Sequence, residues 1–136
     1  MKRRAFLAIP LATPLALSPS GARASASDRA WYEAAVAMKR LAESWGDQPY
    51  GAVIVLDGMQ VGDGPSRVVK DRNPDAHAER VAIADAQRKL GRASLDGAVL
   101  YSTSRPCPLC ESAAAAAGVS RMIYGEALTN GGAPRR

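Results

Sequence analysis

His77-Ala78-Glu79 and Pro106-Cys107-Pro108-Leu109-Cys110 contain the only histidine and the only two cysteines of this 136-residue chain. Imidazole and thiolate are ligands that zinc prefers, and a catalytic zinc site uses three protein ligands and leaves the fourth position to water. His77, Cys107 and Cys110 supply three such ligands. Glu79, two residues after the histidine, is then placed to move protons of the water at a metal. The two segments therefore predict a catalytic zinc site.

The residues around these segments indicate alternating helices and strands. A three-to-four spacing of apolar residues predicts an amphipathic helix, and a continuous apolar run predicts a strand buried on both faces. Asp57-Gly58, between two apolar runs, predicts a hairpin turn. The predicted elements, in order, are helix 31–45, strands 51–56 and 59–62, helix 73–90, strand 98–102, helix 106–117 and strand 119–124. This order predicts an α/β fold with a mixed sheet, in which the hairpin is antiparallel and the later strands are parallel.

The four metal-site candidates fall at the starts of the second and third predicted helices. His77 and Glu79 are expected in the first turn of the second helix, and Cys107 and Cys110 on one face of the opening turn of the third. A helix N-terminus carries unpaired amides and a partial positive charge, so the pKa of both thiols is expected to fall.

Three further expectations concern residues outside the two segments. Ser27 or Asp28 is expected to cap the first helix. The aromatic side chains of Trp45 and Tyr50 are expected to pack in the core rather than to stack on a ligand. Residues 129–136 are expected to form a disordered tail.

Residues 1–26 are predicted to be an export signal, followed by a single domain at residues 27–136. They combine a basic start, a short apolar stretch and small residues suited to peptidase cleavage, either Ala22-Arg23-Ala24 or Ala24-Ser25-Ala26. Arg3-Arg4-Ala5-Phe6-Leu7 also resembles the core of a bacterial twin-arginine signal, which favours a periplasmic location. An ordinary secretory signal or a basic disordered tail is the alternative.

The charge of the predicted domain argues against a nucleic-acid partner. The formal net charge is +5, but four basic residues and no acidic one precede Asp28, and 5 minus 4 leaves +1. A nearly neutral domain offers no electrostatic footprint for a polyanion. The apolar stretch of the signal is too short to span a bilayer, so no membrane association is expected once it is removed.

The two cysteines also allow other interpretations. Cys-x-x-Cys is the spacing of thioredoxin-like redox motifs, and two cysteines in an oxidising compartment can form a disulfide. A redox function leaves His77 and Glu79 without a role, and a metal bound before export would protect the thiolates. A non-catalytic zinc site prefers a fourth protein ligand, and the sequence has no other histidine or cysteine.

The two segments together resemble the zinc-dependent cytidine deaminase-like superfamily, whose motifs are H-x-E and P-C-x-x-C. The similarity extends from the first helix to Gly125 and is greatest to bacterial tRNA adenosine deaminases and guanine deaminases. It implies a three-layer αβα fold with a central mixed sheet. It also implies that Zn²⁺ is bound by the histidine and both cysteines, and that Glu79 is the proton shuttle of a hydrolase acting on C–N bonds of cyclic amidines.

The resemblance suggests substrate contacts and also shows departures from the family pattern. The main-chain amide of Ala78 is expected to face the substrate. Ser66 stands where relatives carry an asparagine that contacts the base, and Arg105 stands where they carry a glutamate. The chain is expected to be C-terminally short, without the final strand and helix, which predicts a partner chain over the sheet edge and therefore a homodimer.

The sequence thus predicts a zinc-dependent hydrolytic deaminase in which zinc hydroxide attacks a small-molecule nucleobase or nucleoside, with a guanine-like purine as the favoured substrate. A tRNA adenosine deaminase is the alternative if the protein is not exported. A thiol-redox or non-catalytic zinc protein is the alternative from another functional class.

Overall fold

The computed structural model describes residues 25–136, so the predicted export signal lies outside the described residues except for its last two. This part of the chain contains three helices and five strands. They are α1 (Ala26–Ser44), β1 (Gly51–Leu56), β2 (Met59–Pro65), α2 (Ala78–Leu90), β3 (Val99–Ser102), α3 (Pro108–Ala117), β4 (Arg121–Tyr124) and β5 (Thr129–Gly132). None of the helices in this range has the length and hydropathy needed to cross a bilayer.

The strands form one mixed sheet in the order β2-β1-β3-β4-β5. The hairpin pair β1–β2 is antiparallel, as Asp57-Gly58 predicts, and β1 also pairs antiparallel with β3. The β3–β4 pair is parallel and is connected through α3. The predicted mixed sheet is therefore confirmed.

The helices lie on both faces of the sheet. On one face, α1 packs through Tyr32 and Ala35 against Val53, Tyr101 and Ile123. On the other face, α2 and α3 pack on a second apolar cluster that includes Ile54, Ala82, Leu100, Ala114 and Met122. The predicted three-layer αβα architecture is confirmed, with an apolar cluster between each pair of layers.

Glycines in β2 allow α2 to lie directly against that strand. A Cβ atom added at Gly64 would lie 2.1 Å from the carbonyl oxygen of Ala78, and one at Gly62 would lie 2.4 Å from that of Ala82. Any side chain at these two positions would push the helix away. The close packing fixes the start of α2, and with it His77.

The first helix begins earlier than predicted, because its cap is Ser25 rather than Ser27 or Asp28. The Ser25 hydroxyl accepts a hydrogen bond from the Asp28 amide, and the Asp28 carboxylate accepts one from the Ser25 amide, which completes a capping box. Asp28 is therefore the third helical residue, and its side chain is buried. The first turn is polar, so the apolar spacing used for the prediction did not extend to it.

The prediction of a disordered tail at residues 129–136 is wrong, because residues 129–132 form β5. Thr129 pairs with Tyr124 and Asn130 with Ile123, in antiparallel register. The sequence Thr-Asn-Gly-Gly is typical of turns rather than strands, so propensity alone misses it. The expected absence of a strand after β4 is corrected as well, since β5 covers the edge of β4, and β2 and β5 are the edge strands.

Candidate active site

His77, Cys107 and Cys110 come together at the N-termini of α2 and α3. The Nδ1 atom of His77 lies 3.6 Å from Cys107 Sγ and 3.3 Å from Cys110 Sγ, and the two sulfur atoms are 3.2 Å apart. His77 and Cys107 are the N-cap residues of their helices, with extended backbone angles, rather than members of the first turns as predicted. Only Cys110 lies inside a helix.

Both thiols are free, and the 3.2 Å separation of their sulfur atoms is well above the roughly 2.05 Å of a disulfide bond. Burial raises the pKa of the Cys110 thiol, and the hydrogen bond from Cys107 and the nearby Glu79 act in the same direction. The expected lowering of this pKa by the helix N-terminus is therefore wrong for Cys110. A neutral buried thiol is opposite in character to a reactive thiolate, and a bound cation is the agent that would favour its ionisation.

The donor set fits a zinc ion. One imidazole nitrogen and two sulfur atoms lie within 4.8 Å of one another, close enough for a single ion to contact all three. Three protein ligands of the His/Cys/Cys type leave one position for water or substrate, which is typical of catalytic zinc. Two of the ligands, His77 and Cys107, lie at the wall of a cavity, so that position is accessible to a small molecule.

Glu79 lies in the first turn of α2, and its side chain is only 5% exposed. Its Oε1 atom accepts a 2.7 Å hydrogen bond from the hydroxyl of Ser102, the last residue of β3, which is also buried. This bond fixes one carboxylate oxygen and restricts the rotation of the side chain. Ser102 was not predicted as a site residue, although a hydroxyl at the end of an otherwise apolar buried strand was a usable signal.

A cavity of about 440 Å³ contains both motifs. Its lining residues are Gln48, Tyr50, His77, Ala78, Glu79, Ser104, Arg105 and Cys107. Of the predicted substrate contacts, Ala78 and Arg105 line this cavity, and Arg105 is exposed to solvent. Gln48 and Ser104 are lining residues that the sequence analysis did not identify.

Ser66, the third predicted substrate contact, does not line the cavity. Its side chain is fully buried, and its hydroxyl donates a 3.0 Å hydrogen bond to Asp47 Oδ1. Residue 66 follows β2 directly, and its amide donates a hydrogen bond to the carbonyl oxygen of Tyr50. The short serine side chain is used within the protein, so it is not available to a ligand.

Asp47 connects the segment before β1 to the loop after β2. Its carboxylate accepts hydrogen bonds from the amides of Gln48, Val69 and Lys70 as well as from Ser66. Burial opposes ionisation of this carboxyl group, but the hydrogen bonds outweigh it and hold its pKa below the ordinary value. The bonds fix Gln48 next to the cavity.

Trp45 and Tyr50 are exposed, which corrects the prediction that they pack in the core. The ring of Trp45 lies under two cations, with Lys70 Nζ 3.9 Å and Arg67 Cζ 5.5 Å from the ring centroid. These contacts hold the 66–70 loop against the end of α1. Tyr50, in contrast, is 43% exposed and lines the cavity, where its ring is free to contact a ligand.

Comparison with known proteins gives a consistent family assignment. The family model of the cytidine and deoxycytidylate deaminase zinc-binding region matches residues 25–126. The chain is 45% identical over 62 residues to the guanine deaminase of Bacillus subtilis strain 168, covering 46% of this chain and 40% of that protein. It is 32% identical over 105 residues to the tRNA-specific adenosine deaminase of the same organism, covering 77% and 65%. The chain therefore spans less than two thirds of either relative.

Solved structures show the same two classes of relative. A structure from a study of A-to-I editing by tRNA:A34 deaminases superposes with a TM-score of 0.69 at 36% identity, covering 71% of this chain and 70% of that one. The X-ray structure of guanine deaminase from Bacillus subtilis superposes with a TM-score of 0.68 at 35% identity, covering 71% and 62%. This chain therefore shares the fold of both proteins, and the nearly equal TM-scores do not distinguish a tRNA deaminase from a guanine deaminase.

Proposed function

Because the chain belongs to the family of the cytidine and deoxycytidylate deaminase zinc-binding region, we propose that it removes an exocyclic amino group from a nucleobase or nucleoside by hydrolysis. The observation that carries this proposal is that the buried Glu79 lines the same cavity as His77 and Cys107, two members of the ligand cluster completed by Cys110. A metal-binding cluster without a carboxylate in its cavity would support only a structural role.

The chain supplies the ligands and the proton carrier for this reaction. Zinc held by His77, Cys107 and Cys110 would supply a Lewis acid that makes water nucleophilic near neutral pH. Glu79 accepts a proton from the attacking water and then donates it to the leaving amino group, which departs as ammonia. Ser102 holds Oε1 of Glu79, and the second oxygen of the carboxylate is left to carry the proton. The main-chain amide of Ala78 and the polar groups of the cavity wall bind the ring.

A free guanine-like purine is the favoured substrate. With Ser66 directed to Asp47, recognition of the ring falls to other lining residues. Gln48 offers a carboxamide that can both donate and accept hydrogen bonds, as the edge of a purine requires, and Tyr50 offers a ring face for stacking. The 45% identity to a guanine deaminase supports the same substrate class.

Adenosine in tRNA is the second candidate, and the similarity to tRNA-specific adenosine deaminases favours it. The charge of the folded region argues against it, because residues 25–136 carry 14 basic and 13 acidic side chains (four of the 18 lysines and arginines precede Ser25). Binding to RNA depends on neutralising phosphates, so a polyanionic substrate needs a more basic surface. A thiol-redox function is disfavoured because it leaves the buried Glu79, which lines the same cavity as Cys107, without a role.

A substrate panel tests the proposal. Zinc-loaded protein is incubated with guanine, adenosine, cytosine, cytidine and tRNA, and the ammonia released is measured. Release from guanine at a rate above that from the other compounds is expected. Release from tRNA alone would show that adenosine in tRNA, rather than a free purine, is the substrate. Release from none of these compounds would overturn the proposal that the protein is a deaminase.

We also infer that the protein is exported and acts in the bacterial periplasm as a homodimer. The basic and apolar composition of residues 1–26 supports export, with residues 27–136 as the approximate extent of the deaminase domain. Leu109 on α3 lies between the two cysteines in sequence, and it is 60% exposed. A second copy of the chain would cover this apolar side chain. Light scattering of the purified protein measures its mass, and a monomer at micromolar concentration would contradict the dimer.

A further inference from the structure

We propose that the export signal is removed between Ala24 and Ser25, so that the mature protein begins at the residue that caps α1. The small-x-small pattern offers two cleavable bonds, one after Ala24 and one after Ala26. The geometry of the helix start distinguishes between them.

Ser25 is held by three hydrogen bonds at the start of α1. Its hydroxyl accepts from the Asp28 amide at 3.1 Å, its amide donates to Asp28 Oδ2 at 3.2 Å, and its carbonyl oxygen accepts from the Arg29 amide at 3.2 Å. Asp28 in turn accepts a 2.7 Å hydrogen bond from the hydroxyl of Tyr101 in the central strand β3, and it is 8% exposed. The capping residue is thus connected to the core of the protein.

The two candidate bonds differ in their backbone conformation. Ser25 has φ −77° and ψ 163°, which is extended, whereas Ala26 is the first helical residue. Peptides commonly bind in extended form, and Ser25 already has that conformation, so a cut before Ser25 does not require α1 to unwind. Cleavage after Ala26 requires the first turn of α1 to unwind. A twin-arginine signal implies export of folded protein, and the peptidase would then meet α1 already formed.

The two cleavages also leave different helix ends. Cleavage after Ala26 removes the hydroxyl that caps α1 and one of the donors to the buried Asp28 carboxylate, and loss of such a cap destabilises a helix. Cleavage after Ala24 retains both hydrogen bonds of the capping box. It also converts the Ser25 amide into an ammonium group 3.2 Å from Asp28 Oδ2, which makes that hydrogen bond charge-assisted.

The reaction is hydrolysis of one peptide bond by a signal peptidase, a co-reactant supplied by the exporting cell. Water adds its hydroxyl group to the carbonyl carbon of Ala24, which becomes a carboxylate, and the Ser25 nitrogen leaves as the new α-amine. Ala22 and Ala24 are then the small residues at the third and first positions before the cut.

The test is the mass and N-terminal sequence of the protein recovered from the periplasm of a bacterium expressing the full 136-residue chain. A mature chain beginning at Ser25 is expected. A chain beginning at Ser27, or a periplasmic chain that still begins at Met1, would overturn the proposal. The readout does not depend on catalysis, so its failure is distinct from failure of the deaminase assignment.

Two leucine variants separate the candidate bonds. Ala22→Leu places a large side chain at the third position before the proposed cut and does not alter either small residue of the other pattern, so it should cause precursor to accumulate. Ala26→Leu blocks only the alternative cut, at an exposed position, and should be processed like the wild type. The reverse outcome would assign the cut to the bond after Ala26.

Discussion

The hydroxyl of Ser102 donates a 2.7 Å hydrogen bond to Oε1 of Glu79, and both side chains are buried. Ser102→Ala is predicted to lower kcat about 10-fold, with little change in KM, since a hydrogen bond to a charged group contributes about 1.5–3 kcal/mol and Ser102 acts through Glu79 rather than on the substrate. Steady-state ammonia release measures both constants.

The control for this variant is Ser120→Ala, which removes a hydroxyl bonded to the Ala98 carbonyl, away from the cavity. Its kcat should equal that of the wild type. Both variants should retain one zinc per chain. An unchanged kcat in Ser102→Ala would show that Glu79 is positioned without the hydroxyl.

Zinc binding is predicted to depend on Cys110. Cys110→Ser is expected to reduce zinc to well below one ion per chain, because a serine hydroxyl does not replace a thiolate ligand. It should also abolish the rise in melting temperature that zinc gives the wild type. Metal analysis of the purified protein measures the stoichiometry, and Ser112→Ala on the same helix is the control. Full zinc occupancy in Cys110→Ser would remove this residue from the ligand set.

Local patterns were sufficient to predict most of the fold and the metal-binding cluster. The apolar run at residues 51–56 and the turn at Asp57-Gly58 are determined by neighbouring residues, and both are found as predicted. The convergence of His77 with the two cysteines was predicted from residue chemistry and a family resemblance. These features depend on short stretches of sequence, which is why they could be recognised.

The features that were missed depend on residues distant in sequence. The strand β5 forms because β4 offers it an edge, against the turn-like composition of residues 129–132. Ser66 turns away from the cavity because Asp47 accepts its hydroxyl, and Ser102 meets Glu79 only when β3 and α2 pack together. A local pattern can single out Ser102 as a hydroxyl at the end of an apolar strand, but it does not show which partner either serine meets.

Asp47 is predicted to stabilise the protein in a pH-dependent way. Its folded-state pKa is lowered, so its contribution is present above the ordinary carboxyl pKa of about 3.9 and is lost as pH falls through the folded value. Asp47→Asn should therefore cost about 1–2 kcal/mol of unfolding free energy at pH 7. The difference in unfolding free energy between Asp47→Asn and the wild type should shrink below about pH 4.

Chemical denaturation at several pH values measures this effect. Asp71→Asn is the matched control, because Asp71 makes an exposed ion pair with Arg67, and such pairs contribute little. If the difference in unfolding free energy between Asp47→Asn and the wild type stays constant from pH 7 to pH 3, the Asp47 carboxylate does not stabilise the fold through its ionised form.

Gln48 is predicted to recognise the ring of the substrate. Gln48→Ala should raise KM for guanine about 10-fold while zinc content and melting temperature stay unchanged, since the exposed carboxamide lines the cavity. Gln60→Ala, which alters an exposed glutamine bonded to Asp63 on β2, is the control and should keep the wild-type KM. Equal KM values for the two variants would exclude Gln48 from recognition.

Ammonia release by zinc-loaded Glu79→Gln tests the role of Glu79 as the proton carrier most directly. Glutamine keeps the shape of the side chain and accepts the hydrogen bond from Ser102, but it cannot carry a proton. Glu79→Gln is expected to keep a full complement of zinc and a melting temperature close to that of the wild type, while its kcat for guanine is lower by at least about 100-fold. Wild-type ammonia release from this variant would contradict the assignment of Glu79 as the proton carrier.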